Sequence, residues 1–151
     1  MKRICFAIIL AAFALQSQAQ EKPKYDEALA KKLGADNYGM KMYVLVILKT
    51  GSNISATKAQ TDSLFKGHMA NIDKLAKENK LLVAGPLGRN DKQYRGIFIF
   101  NTKSLEEARA WLATDPAISS KLLDAELFNW YGSAALPEYL PFHDKVQKST
   151  F

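Results

Sequence analysis

Proton transfer is the chemistry these side chains are best equipped for, and His68 is the residue that most suggests it. It recurs with Leu64, Ile72 and Leu75 at steps of four, four and three, which sets all four on one face of a helix. An imidazole on an apolar face must find a hydrogen-bond partner or border a cavity. Imidazoles ordinarily titrate near pH 6.5, the range that suits general acid/base work at neutrality. The competing reading is a satisfied core histidine with no chemistry.

Two aspartates are candidate companions. Asp115 precedes Pro116, where ordinary helix-stop and turn chemistry also accounts for it. Asp91 stands on the polar loop after Gly85-Pro86, where an exposed loop residue is the plainer reading. Arg89 and Arg95 have the geometry to grip a carboxylate bidentately, though solvated arginines look the same in sequence. Trp130 and Tyr131 suit a pocket rim, a core or a subunit contact. His143-Asp144 are neighbours in sequence, which rarely makes a working dyad, and they read as exposed.

Other chemistries lack their signatures. The two histidines lie far apart and Cys5 is the single cysteine, so zinc would need carboxylates at a spacing the chain does not show. No metal site and no cofactor are expected. There is no glycine-rich phosphate loop and no nucleophile elbow.

The elements that must position these residues follow from periodicity. Residues 21–40 are polar, with one weak helical stretch from Tyr25 to Leu33 ended by Gly34. Met42 to Leu48 is a continuous apolar run, as in a strand buried on both faces. A long helix is predicted from about Thr57 to Asn79, opened by the capping-box spacing of Thr57 and Gln60. Leu81 to Ala84 is a short strand stopped by Gly85-Pro86, and Gly85 leaves room for a close approach. Tyr94 to Phe100 is a third strand. Ser104 and Glu107 open a second helix whose apolar face carries Leu105, Ala108, Trp111 and Leu112. Asp115-Pro116 ends it. Glu126 to Tyr131 is the fourth strand, and the rest is a tail without periodicity that contains Pro137 and Pro141.

The N-terminus differs from everything after it. Lys2 and Arg3 precede an apolar run from Ile4 to Leu15, and Ser17-Gln18-Ala19 offers small residues for cleavage after Ala19. That is a signal peptide at 1–19, with a run shorter than the roughly 20 residues of a spanning helix. Cys5 leaves with it, so a disulfide framework is excluded by count. The mature protein is expected in the periplasm or secreted, free of the membrane. The formal charge of +6 owes two units to Lys2 and Arg3, and the other lysines are scattered. No basic run interleaves with aromatics, so nucleic acid is not an expected partner.

These elements give an α+β chain in the order β-α-β-β-α-β, the ferredoxin-like split βαβ. Its antiparallel four-stranded sheet carries both helices on one face. The first and third strands are apolar on both faces, so something must cover the second face. A homodimer packing sheet to sheet is the simplest answer, and the alternative is that the extension at 20–40 and the tail at 137–151 cover it.

Taken together, six short stretches resemble the YCII-related family, in its exported Bacteroidetes-type form. They are Gly67 to Ile72, Ala84 to Leu87, Arg95 to Ile99, Glu107-Ala108, Asp115 to Ala117 and Trp130 to Leu136. The resemblance covers about 41–136. It implies a dimeric α/β-barrel and a His–Asp active site, which falls here on His68 and Asp115, with Asp91 as a second candidate. In that role the aspartate fixes the imidazole tautomer and stabilises imidazolium. The function expected is cofactor-free acid/base catalysis on a small molecule by a lyase, isomerase or hydrolase. A non-catalytic small-molecule-binding dimer is the alternative, and an interaction-only dimer with a core His68 is a third.

Overall fold

The computed structural model describes residues 24–149, so the leader expected at 1–19 lies outside the described residues. Helix α1 spans Glu27–Leu33 and is followed by strand β1, Met40–Thr50. Helix α2 is Lys58–Lys77, and strands β2 and β3 are Leu81–Pro86 and Tyr94–Phe100. Helix α3 is Leu105–Ala113, a short helix α4 is Pro116–Ser119, and strand β4 is Leu123–Ser133. A 3-10 turn at Leu136–Tyr139 leads into helix α5, Leu140–Val146. The sheet runs β2-β3-β1-β4 with every neighbouring pair antiparallel. This is the ferredoxin-like α+β fold.

Local chemistry sets the helix boundaries. At the start of α2, Thr57 and Gln60 cap each other reciprocally, at 3.3 Å and 2.8 Å. The box expected at α3 is only half made. Ser104 accepts from the Glu107 amide at 3.1 Å, but the Glu107 carboxylate takes the Thr102 hydroxyl instead. Helix α1 stops at Gly34, whose φ of 70° is a conformation that glycine adopts without penalty. Among the described residues no helix is long and apolar enough to cross a membrane.

Strand β1 lies between β3 and β4, and clusters pack on both of its faces, which is why its apolar run is unbroken. On one face Val44, Val46, Leu48, Phe98, Phe100 and Leu123 pack against Leu75 of α2 and Ala108 and Leu112 of α3. Burying each large side chain of this set contributes about 1.5–3 kcal/mol. The second face has its own smaller cluster of Tyr43, Leu82 and Ile99, with Trp130 beside them. Leu136 and Leu140 of the tail pack on that cluster, and the Tyr139 hydroxyl donates to the Leu82 carbonyl. The tail therefore covers one end of the second face. At the other end Leu45, Ile47 and Ile97 are half-buried and Phe128 is 45% exposed.

The N-terminal extension is pinned to the same sheet. Asp36 accepts from the amides of Tyr38 and Met40 and from the Tyr131 hydroxyl. Those bonds hold its carboxyl below the ordinary aspartate value of 3.8, Tyr131 contributing most. Lys32 of α1 also reaches Glu138 of the tail turn at 3.8 Å.

Candidate active site

Leu75 and His68 of α2 are buried toward the sheet, as the four-four-three spacing predicts. His68 is 7% exposed. Its ring lies over Phe98 of β3, centroids 5.9 Å apart and planes 22° from parallel. Phe65, one turn earlier on α2, meets it edge-on at 6.0 Å. These two aromatics leave the imidazole little freedom to rotate.

Asp115 comes to this ring from the corner between α3 and α4. Thr114 closes α3, and Asp115 then takes an extended conformation and caps α4, with Pro116 at the first helical position. One carboxylate oxygen, Oδ1, accepts from the Ala117 amide at 2.9 Å. The other, Oδ2, stands 2.6 Å from His68 Nδ1. The side chain is 1% exposed. Helix-stop and turn chemistry on one hand and pairing with His68 on the other are the two roles the sequence allows Asp115, and the helix it caps is one the sequence does not mark. The structure gives one oxygen to each.

An ionised carboxylate only accepts hydrogen bonds. With Asp115 charged and the imidazole neutral, the proton sits on Nδ1 and Nε2 keeps its lone pair. Nε2 has no hydrogen bond among the described residues, nor does it appear as a sealed, unpartnered nitrogen. The arrangement is an anchored imidazole with one nitrogen tied to an acid and the other without a hydrogen bond among the described residues. That is the layout of a general acid/base.

The close approach of α2 to this corner depends on Gly67. A Cβ there would lie 2.8 Å from Pro116 Cγ and 3.3 Å from Pro116 Cβ. One turn on, Asn71 donates to the Thr114 carbonyl at 3.2 Å and to Thr114 Oγ1 at 2.8 Å. Sequence reading passed over Phe65, Phe98, Gly67 and Asn71 as site residues. A glycine inside a helical pattern, directly before the candidate histidine, was the one available signal of close packing.

The other candidates stand elsewhere. Asp91 is exposed on the turn between β2 and β3, whose backbone is held by Asn90, and it makes no hydrogen bond to His68. Among the described residues the carboxylate that meets the imidazole is that of Asp115. Arg89 and Arg95 are exposed on the same hairpin. Gly85 pairs with Ile97 on the sheet face opposite the helices, so the room it leaves does not open toward His68. Trp130 packs tilted against Tyr43 at 5.6 Å on that second face, and Tyr131 bonds Asp36. His143 is exposed on α5.

A surface cleft of about 430 Å³ opens where α2 begins and α4 ends, lined by Asn53, Ser55, Gln60, Ser63, Leu64 and Ser120. His68 does not line this cleft. Leu64, one turn before His68 on the same helix face, lines the cleft instead.

The model of the YCII-related domain matches residues 42–130. No curated protein matches the chain. A solved structure of 5-chloro-2-hydroxyhydroquinone dehydrochlorinase from Burkholderia phenoliruptrix AC1100, in complex with 2,5-dihydroxybenzoquinone, is similar at 22% identity. That similarity covers 58% of this chain and 92% of the other, with a TM-score of 0.42.

Proposed function

This chain belongs to the YCII-related family, and from that premise we propose that it performs cofactor-free acid/base chemistry on a small molecule at His68 and Asp115. The observation that carries the reading is the buried contact of 2.6 Å between His68 Nδ1 and Asp115 Oδ2. It reserves Nδ1 for the carboxylate and leaves Nε2 to take a proton from substrate and return it. Asp115 balances the imidazolium that forms in between. Proton abstraction and return is the step shared by the lyases and isomerases in question. A hydrolase would use the same nitrogen to activate water.

A second reading is favoured by one observation. The polar cleft at the start of α2 is lined by Leu64 and not by His68. In that reading the domain binds a small molecule without turning it over, and the pair serves to hold α2 against α4. Solvent exchange separates the two. Small carbonyl and hydroxyl compounds are incubated with the protein in D2O, and deuterium incorporation is read by mass. Catalysis predicts exchange by the natural protein and none by His68→Ala. Saturable binding without exchange, unaffected by His68→Ala, supports the binding module instead.

The reading includes a second copy and a location. The half-exposed end of the second sheet face, around Leu45, Ile47, Ile97 and Phe128, supports a homodimer that packs beyond the tail. The residue pattern at 1–19 supports export to the periplasm or beyond, where the signal is removed.

A further inference from the structure

The corner that carries Asp115 touches α2 at three successive residues, and only the middle one belongs to the pair. Pro116 lies against Gly67, Asp115 meets His68, and Thr114 is held by Asn71. The last contact is the one with directional chemistry. The Thr114 hydroxyl donates its proton to the Trp111 carbonyl at 2.7 Å. Its oxygen is then left as an acceptor, as is the Thr114 carbonyl. Asn71 offers one amide nitrogen to both, at 2.8 Å and 3.2 Å. Reversing the amide would set its oxygen against two acceptors, so its orientation is determined.

We infer that Asn71 is a positioning residue for the His68–Asp115 pair. Asn71 follows His68 by three residues and shares its helix face. Thr114 and Asp115 are consecutive, with Cα atoms about 3.8 Å apart. A slip of Thr114 along α2 therefore passes directly to Asp115. The pair has little tolerance for such a slip, because its contact is short, at 2.6 Å, and a hydrogen bond weakens beyond about 3.2 Å. Asn71 does not touch the imidazole. It sets the register of the α3–α4 corner along α2, and so decides whether Oδ2 falls in line with Nδ1. The inference concerns the geometry of the pair, so a protein with no measurable turnover still tests it.

The test is histidine-labelled NMR of the mature full-length protein at neutral pH, reading the tautomer of His68 and its Nδ1 proton. The natural protein is expected to show a single Nδ1–H tautomer with a downfield, exchange-protected proton. Asn71→Asp sets a carboxylate against the two Thr114 oxygens, and Asn71→Ala removes the tether. Both are expected to lose the protected proton and to mix tautomers, at unchanged helical circular dichroism. Thr114→Ser keeps both acceptors and should retain the signal. If Asn71→Asp fails to fold, Asn71→Ala decides. Retention of the protected proton in a folded Asn71→Ala overturns the inference. Unfolding of both variants also overturns it, because Asn71 would then be a packing contact only.

Discussion

Replacing Gly67 by alanine sets two effects of opposite sign against each other. In the interior of a helix the change ordinarily stabilises by about 1 kcal/mol. Here the new Cβ lands 2.8 Å from Pro116 Cγ. Carbon–carbon contacts are most favourable at about 3.5–4.0 Å, so the proline must retreat by about 0.7–1.2 Å. Its ring is bonded back to its own nitrogen and cannot swing away as a long side chain does. Retreat carries Asp115 with it, and the Oδ2–Nδ1 contact starts at 2.6 Å. A shift of that size along the contact stretches it to about 3.3–3.8 Å, from a short hydrogen bond to the edge of hydrogen-bonding range or past it. Overpacking costs about 1–3 kcal/mol, and loss of a hydrogen bond to a charged group about 1.5–3 kcal/mol. Together these exceed the propensity gain, and Gly67→Ala is expected to destabilise by about 2 kcal/mol or more. Urea unfolding measures it as a lower midpoint at unchanged slope. A gain of about 1 kcal/mol would show that helix propensity wins and would refute the reasoning that ties Pro116 to the pair.

Four further outcomes are expected. Asp115→Ala removes both the α4 cap and the imidazole partner and should cost about 3 kcal/mol, whereas Asp115→Asn keeps a capping oxygen and should cost clearly less; equal urea midpoints would contradict the division of the two oxygens. Because Asp36 is held below its ordinary 3.8, its contribution to stability is complete above that value and fades as pH falls through the lowered one. Melting curves of Tyr131→Phe should therefore lie below those of the natural protein at neutral pH and converge with them as pH falls below 3.8. Light scattering at micromolar concentration should report a homodimer that Phe128→Lys breaks, and a natural protein that is monomeric would overturn the sheet-to-sheet contact. Intact mass of exported protein should correspond to a chain beginning near Gln20, and retention of Cys5 would contradict the leader assignment.

The alternation and spacing of apolar residues made the core elements legible. Tyr94 to Phe100 matches β3 residue for residue, because polar turns bound it on both sides. The Thr57–Gln60 cap fixed the start of α2, because a capping box is local chemistry. What escaped was non-local or short. Helix α4 has four residues, too few for any periodicity to register. Helix α5 begins beside two prolines and presents Leu140 to the sheet while Phe142 and Val146 face outward, so no apolar stripe marks it. The pair itself joins residues 47 apart in sequence. The helix face indicated which way His68 points, but its partner depended on how the corner after α3 docks. The family resemblance supplied that, while spacing alone left Asp91 and Asp115 both open.

The hydroxyl of Tyr139 has a consequence for how this sheet can grow. Strand β2 is an edge, and an edge strand with free carbonyls and amides is a template for another chain. Tyr139 occupies the carbonyl of Leu82, the second residue of that edge strand. Pro86, which ends the strand, has no amide proton to offer a fifth strand. The strand is only six residues long, so these two blocks leave little uninterrupted ladder. Growth of the sheet by edge-to-edge joining at β2, which propagates without limit, is thereby disfavoured.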